Sequence, residues 1–149
     1  MLGEKEEGCI FCNRIKQPED SVHNLIVYRG ELNAVILNKY PYNPGHAMII
    51  PLRHIGDLQE FTEEESNEFF SLTRLAVRLM KRAYNPHSMN LGMNLGRESG
   101  AGIPEHLHMH VVPRWVGDTN FMPVIGETKV QSVPMDLVYE RLKKEFDRL

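Results

Sequence analysis

Apolar residues fall along this chain in short runs that predict a sheet of five strands. Runs rich in β-branched and aromatic residues, bounded by turn residues, are typical of strands. They lie at 25–28, 31–37, 46–51, 89–96 and 105–114. Arg29-Gly30 provides the first turn, and a loop at 38–45 with two prolines and a glycine precedes the third strand.

A second pattern, with the helical spacing of three and four residues, predicts two helices. The first begins at an N-cap at Thr62, which forms a capping-box pair with Glu65, and runs to Tyr84 before Asn85-Pro86. Its predicted buried face holds Phe69, Leu72, Ala76, Leu79, Met80 and Ala83. The second helix is shorter, opens at Pro134 and turns Val138, Leu142 and Phe146 inward.

Strands followed by one long segregated helix indicate an α+β fold with an antiparallel sheet. The chain has 149 residues, 42% of them apolar and 25% charged, with no internal repeat or Pro/Gly-rich linker. We therefore expect one domain over residues 1–149.

Charge and hydropathy exclude several partners. A net charge of −3 argues against a nucleic-acid polymer as partner, because polymer binding needs a basic surface. We expect no membrane span, since no apolar run reaches the roughly 18 residues that one needs. The charged N-terminus lacks the apolar core of a signal peptide, which predicts a cytoplasmic protein.

The run at 106–112, HLHMHVV, is the most informative stretch for function. In a strand, alternate side chains share a face, so His106, His108 and His110 are expected on one face. Three interpretations follow: hydrogen-bonded structural histidines, a metal site, or a nucleophilic imidazole flanked by two helpers. The glycine-bearing loop at 97–103 and Asn94 favour a phosphate ester as the partner of a nucleophile.

The only two cysteines, Cys9 and Cys12, form a CxxC pair. Two intervening residues allow both sulfurs to bind one ion, so the pair is half of a zinc site. A thioredoxin-like redox pair would follow a strand in a βαβ pattern, which the sequence lacks. Two packed, metal-free cysteines remain the alternative.

HLHMHVV resembles the signature of the histidine triad family of nucleotide hydrolases and transferases. Further segments of that family follow in its order, at 9–12, 34–38, 44–46 and 51–54, so the resemblance covers most of the chain. The segments 38–46, 113–115 and 117–121 are similar to the diadenosine tetraphosphate phosphorylase branch of bacteria. The resemblance implies the histidine triad fold and a small-molecule nucleotide substrate, with no organic cofactor.

The resemblance also implies a role for each matching residue. His108 would be the nucleophile that attacks the α-phosphorus, His110 would contact the phosphate, and His46 would support both through hydrogen bonds. The implied nucleotide-binding residues, besides His108 and His110, are Asn38 for the ribose, Phe11 for the base pocket, and Asn94, Gly100, Ala101, Gly102 and Ile103 for the phosphates.

Two further implications concern metal and assembly. Some histidine triad proteins bind structural zinc through residues that match Cys9, Cys12, His54 and His106, and the family commonly forms homodimers by joining two sheets. A zinc ion would make His106 a structural ligand and leave His108 free to attack.

Ile103 departs from the family pattern, because many members place Ser or Thr three residues before the first triad histidine. The missing hydroxyl bears on how the leaving group is handled. Two alternatives to nucleotidyl transfer remain. The alternating histidines, with Cys and His nearby, suggest a zinc-dependent phosphoester hydrolase, and the missing hydroxyl suggests a nucleotide-binding signalling module with little turnover. The sequence leaves hydrolysis and phosphorolysis both open.

Overall fold

The computed structural model describes residues 6–118 and 133–149 of the chain. Five strands form one antiparallel sheet, as predicted, and their order is β1-β2-β3-β5-β4. The elements are α1 (Ile10–Ile15), β1 (Ile26–Arg29), β2 (Asn33–Leu37), β3 (Ala47–Pro51), α2 (Glu63–Tyr84), β4 (Ser88–Met93), β5 (Met109–Arg114) and α3 (Met135–Phe146), with 3₁₀ turns at Leu58–Glu60 and Arg97–Ser99.

Strands β2 and β3 form the buried centre of the sheet. Every residue of both strands is buried, so both faces of the sheet are covered at this point. On one side β3 pairs with β2, placing Val35 opposite Ile49. On the other side β3 pairs with β5, placing Met48 opposite His110. The third strand and the histidine-bearing strand are therefore neighbours in the sheet.

Helix α2 covers one face of the sheet and packs against β2, β3 and β5. Thr62 and Glu65 form the predicted capping box, and Asn85, with φ +46°, ends the helix in a left-handed conformation. Five of the six predicted inward residues are buried, and Ala83 is half-buried against the core. Helix α3 follows Pro134 and buries Val138, Leu142 and Phe146, as expected.

Helix α1 was not expected from the sequence. It has only six residues and too short an apolar pattern for a helical period, and its N-cap, Cys9, makes no side-chain capping bond. Cys12 lies within this helix, so the CxxC pair occupies its N-terminal turn. Phe11, between the two cysteines, is buried against the core.

The prediction of a strand from residue 105 was wrong at its start, since β5 begins at Met109. Before that point the backbone bonds elsewhere: the His106 N–H donates to the Ile103 carbonyl, and the Leu107 N–H donates to the Ile55 carbonyl. His106 and His108 therefore precede the strand, and only His110 lies within it.

Among the helices that the structure describes, none has the length and apolar character needed to cross a bilayer. The residues Thr119 to Phe121, which supported the branch-level resemblance, lie outside the described part of the chain.

Candidate active site and metal centre

Two polar clusters meet on the segment that carries the three histidines. His106 belongs to a sulfur and nitrogen cluster, whereas His108 and His110 belong to a cluster of imidazoles. Phe11 lies between them, with its ring centroid 5.3 Å from the rings of both His106 and His108. The predicted common face therefore divides into two chemical sites.

The first cluster brings together Cys9, Cys12, His54 and His106, the four residues that the resemblance implied as metal ligands. Their donor atoms all lie within 4.8 Å of one another. Nδ1 of His106 lies 3.3 Å from Cys9 Sγ, 3.6 Å from Cys12 Sγ and 3.3 Å from His54 Nδ1. Cys12 Sγ lies 3.2 Å from His54 Nδ1.

These separations fit a tetrahedral ion. With bonds of about 2.0–2.1 Å to nitrogen and about 2.3 Å to sulfur, the donors of a tetrahedral zinc stand roughly 3.3–3.8 Å apart. The donor set, two thiols and two imidazoles, is one that zinc prefers. Four protein donors complete the coordination shell and leave no open position for water.

The surroundings of His106 prepare its ring as a ligand. Its Nε2 lies 2.9 Å from the Pro51 carbonyl oxygen, which can only accept, so Nε2 carries the proton and Nδ1 has a lone pair. Burial lowers the pKa of this imidazole and keeps it neutral. Burial and the neighbouring Cys9 raise the pKa of the Cys12 thiol to about 11, so a bound cation is needed to hold it as a thiolate.

His108 is a buried imidazole whose tautomer is fixed by one backbone group. Its Nδ1 lies 2.9 Å from the carbonyl oxygen of His106. Because a carbonyl only accepts, Nδ1 carries the proton and Nε2 has the free lone pair. Burial lowers the pKa of His108, so the ring is neutral at physiological pH. A neutral imidazole with a defined lone pair is a competent nucleophile.

His110 and His46 form a directed hydrogen-bond chain. The backbone N–H of Tyr42 donates to His46 Nδ1 over 3.1 Å, so the proton of neutral His46 is on Nε2. That Nε2–H donates to His110 Nδ1 over 2.9 Å, which leaves the His110 proton on Nε2. Burial and the nearby rings of His110 and His108 lower the pKa of His46 to about 3. The chain therefore presents His110 as a neutral donor.

Two cavities open on either side of His110. The larger, of about 660 Å³, has an apolar wall that includes Phe11, Leu25 and Leu37, and His108 and His110 at one end. The smaller, of about 420 Å³, is lined by polar and apolar residues of β4 and of the end of β5, among them Leu91, Val112 and Arg114. His110 and Tyr42 line both.

Most of the predicted nucleotide-binding residues line one of these two cavities. Asn38, Gly102 and Ile103 line the larger cavity, together with Phe11, and Asn94 lines the smaller one. Gly100 and Ala101 are not among the described residues that line either cavity, and Ala101 is buried.

The sequence analysis did not identify two hydrogen-bonded side-chain pairs that hold the loops around the site. Arg53, next to His54, makes two hydrogen bonds of 2.8 Å to the buried carboxylate of Glu65. Asn43 donates to Asp118 over 2.7 Å. The members of the first pair are 12 positions apart and those of the second 75, and neither separation matches a local helix or strand spacing that would predict the contact.

Comparisons with known proteins find a matching family model, a curated relative and similar solved structures. The sequence model of the HIT domain family matches residues 19–116. Over 106 residues the chain is 49% identical to a protein of Mycobacterium tuberculosis named AP-4-A phosphorylase. This alignment covers 71% of the present chain and 54% of the relative. The chain thus spans about half the length of this curated relative.

Two solved structures are similar over nearly the whole chain. A hypothetical histidine triad nucleotide-binding protein from Sulfolobus tokodaii strain 7 matches with a TM-score of 0.75 and 28% identity, covering 94% of this chain and 93% of that one. A Zn-bound histidine triad family protein from Mycobacterium smegmatis matches with a TM-score of 0.74 and 20% identity, over 95% and 94% of the two chains.

Proposed function

Because the chain belongs to the HIT domain family, we propose that it is an enzyme that transfers a nucleotidyl group from dinucleoside polyphosphates such as diadenosine tetraphosphate. The similarity to a protein named AP-4-A phosphorylase supports this substrate class. The observation that carries the proposal is His108, a buried, neutral imidazole held with its Nε2 lone pair free beside a cavity of nucleotide size.

In the proposed first step, Nε2 of His108 attacks the α-phosphorus and forms a P–N bond. The bond from that phosphorus to the bridging oxygen breaks, and the leaving nucleotide takes its electron pair. His110, as a neutral donor, would place its Nε2–H on a phosphoryl oxygen, where negative charge builds up. His46 would act through His110 and hold it in the donor tautomer.

In the second step, water or inorganic phosphate attacks the same phosphorus. The P–N bond breaks, and its electron pair returns to His108. Attack by water, which loses a proton, gives a nucleoside monophosphate; attack by a phosphate oxygen gives a nucleoside diphosphate. The same histidines serve both routes, so the acceptor decides between hydrolase and phosphorylase.

The larger cavity is the proposed nucleoside site. Phe11 and its apolar neighbours would pack against the base, and Asn38, at the edge of the same cavity, would bind the ribose hydroxyls. Gly102 and Ile103 lie close to His108 and would contact the phosphates, with Asn94 on the other side of His110. Gly100 and Ala101 would act through the shape of their loop.

We also propose that Cys9, Cys12, His54 and His106 bind a structural zinc ion. The interatomic distances and the mixed thiol and imidazole donors support this proposal. A zinc ion there would cross-link α1 to the histidine segment. Because the four donors fill the coordination shell, the arrangement favours a structural role over the alternative of a zinc-dependent hydrolase.

A homodimer built by joining two sheets is part of the same proposal. Strand β4 ends the sheet, so its outer edge has backbone groups available for another strand. Leu91 on this strand is 49% exposed, an apolar side chain that a second copy would cover.

The test of the reaction is incubation of the protein with diadenosine tetraphosphate, with and without inorganic phosphate. ADP that forms only with phosphate identifies a phosphorylase, whereas AMP and ATP formed without phosphate identify a hydrolase. We expect His108→Ala to lose at least about 10³-fold in kcat, because the nucleophile is gone.

His23→Ala is the matched control, because His23 is an exposed histidine outside both clusters. Label from an α-³²P substrate should appear on the wild-type protein as an acid-labile phosphoramidate and be absent from His108→Ala. Full turnover by His108→Ala would refute the covalent mechanism. Tight nucleotide binding without turnover by the wild type would favour the signalling module.

A further inference from the structure

We infer that Asn43 is a positioning residue: it holds the loop 38–46 so that the Tyr42 amide fixes the tautomers of His46 and His110. The inference rests on the proposed function, because it concerns how His110 becomes a hydrogen-bond donor toward a phosphate. It assigns a task to a residue that touches neither the nucleophile nor the metal cluster in the described contacts.

The loop 38–46 is a closed structure with little freedom. The Asn38 N–H donates to the His46 carbonyl oxygen over 2.9 Å, which joins the two ends. Within the loop, the His46 N–H donates to the Asn43 carbonyl oxygen over 3.1 Å. Gly45 has φ +83°, and a Cβ there would lie 2.8 Å from the ring of Tyr84, so the last turn requires glycine.

Asn43 ties the tip of this loop to strand β5. Its Nδ2 donates to the Pro113 carbonyl oxygen over 2.8 Å and to Asp118 Oδ2 over 2.7 Å. The same carboxylate accepts from Arg114 Nε over 2.7 Å and from the Trp115 N–H over 3.2 Å. Since β5 also carries His110, the tether sets the loop in register with the strand of the proposed donor.

The Tyr42 amide is the first donor of the chain that ends at His110. It is a backbone N–H, which cannot act as an acceptor and does not titrate in the physiological range, so it leaves His46 one neutral tautomer. His46 then donates to His110 over 2.9 Å and fixes that ring as well. Without the Tyr42 bond, a proton on Nδ1 of His46 would be allowed, and His110 could lose its Nε2–H.

The competing explanation is direct substrate binding, because Asn43 and Asp118 also line the smaller cavity. The two roles predict different kinetics. Loss of a substrate contact that is equal in the ground and transition states raises KM, whereas loss of a correctly placed donor lowers kcat.

The experiment is Asn43→Ala, with steady-state kinetics on diadenosine tetraphosphate and ¹⁵N imidazole NMR of the free protein. We expect kcat to fall about 10- to 100-fold, with KM changed less than about twofold. The long-range ¹H–¹⁵N spectrum should show one tautomer for His46 and His110 in the wild type and mixed tautomers in the variant.

Three further substitutions provide a control and a second test of the Tyr42 amide. Asn90→Ala removes another asparagine that contacts Arg114, over 2.5 Å, but leaves the loop untouched; we expect wild-type tautomers. Tyr42→Pro deletes the amide proton and Tyr42→Ala keeps it, so only the proline variant should show mixed tautomers. If Asn43→Ala does not fold, the two Tyr42 variants still test whether this amide fixes the tautomers.

The inference is overturned if Asn43→Ala keeps a single tautomer, or if its defect lies in KM alone. Mixed tautomers in Asn43→Ala and Tyr42→Pro, with Asn90→Ala unchanged, support it. The NMR measurement needs no substrate. Lack of turnover by the wild type would therefore refute the proposed reaction and leave the positioning result readable.

Discussion

At the scale of single residues, His106 links the two clusters. Its ring faces the cysteines, its Nε2 donates to Pro51, and its carbonyl oxygen accepts from His108. Nδ1, Nε2 and the carbonyl oxygen of His106 thus face different neighbours. The backbone of His106 therefore connects the Cys/His cluster to the proposed nucleophile, beside the ring contact that Phe11 makes with both histidines.

His46 leads to a prediction about acid stability. In the unfolded chain its imidazole takes up a proton below about pH 6.5, whereas its pKa in the folded protein is about 3. The unfolded state thus binds more protons between these two values, and the free energy of unfolding should fall as the pH falls through this window. The loss is roughly 1.4 kcal/mol per pH unit for one such group.

Urea denaturation at pH 7, 6, 5 and 4 measures this dependence. His46→Gln should flatten it, because it removes one buried group that must stay neutral in the folded state. His23→Gln, at an exposed histidine, should leave the slope unchanged. Equal slopes in the wild type and His46→Gln would contradict the prediction.

At the scale of elements, the N-terminus of α2 is joined to the loop that carries His54. The Glu65 carboxylate accepts from the Thr62 N–H over 2.9 Å and from Arg53 Nε over 2.8 Å. These bonds lower the pKa of Glu65 to about 2, so it is charged at every ordinary pH. One side chain thereby serves both a capping box and an ion pair.

We expect Glu65→Ala to lower the free energy of unfolding by roughly 1–3 kcal/mol, because it removes the cap and leaves Arg53 without this carboxylate. Glu65→Gln should cost less, since an amide oxygen can still accept from Thr62. Glu64→Ala is the control, an exposed acidic residue in the same helical turn. Chemical denaturation would decide; equal losses at positions 64 and 65 would contradict the prediction.

The elements also show what the sequence could predict. Five strands and two helices could be predicted because apolar runs, helical spacing and caps are signals that lie within each element. Helix α1 could not be predicted, since six residues do not complete two turns. The start of β5 was misplaced because the Leu107 N–H bonds to Ile55, a partner that no pattern within 105–114 reveals.

The candidate site was less accessible to sequence reasoning than the fold. The alternation at 106–110 marks three histidines but not their division, which depends on Phe11 and on residues up to 97 positions away. The four metal donors came from the family resemblance and not from spacing. Asn43 and Asp118 lie in segments that carried the branch-level resemblance, but nothing in the sequence indicated that they pair, because their bond joins a loop to the turn after β5.

At the scale of the whole molecule, the proposed metal site joins three separate parts of the chain. Cys9 and Cys12 come from α1, His54 from the segment after β3, and His106 from the segment before β5. An ion bound to all four stabilises the folded state by mass action, because the unfolded chain does not hold these donors together.

We therefore expect the purified protein to contain about one zinc ion per chain, and a chelator to lower its Tm. A stabilisation of about 4 kcal/mol, which corresponds to roughly 10 °C at this chain length, would follow if free zinc exceeds its Kd about 1,000-fold. Metal analysis and thermal unfolding measure both. Cys12→Ser should show the lower Tm without chelator, and His23→Ala, at an exposed histidine outside the cluster, should behave as the wild type. A chelator-insensitive Tm would argue against the zinc site.

The position of α1 affects how far the protein can be truncated from its N-terminus. The family match covers residues 19–116 and so retains all three histidines of the run, together with His46. A fragment trimmed to those limits would nevertheless lose both thiols and the aromatic ring between the two clusters. It would also lose α3, which packs against β1 and α2. Sequence similarity therefore defines a smaller unit than the chemistry requires, and truncations or N-terminal fusions should leave residues 9–12 intact.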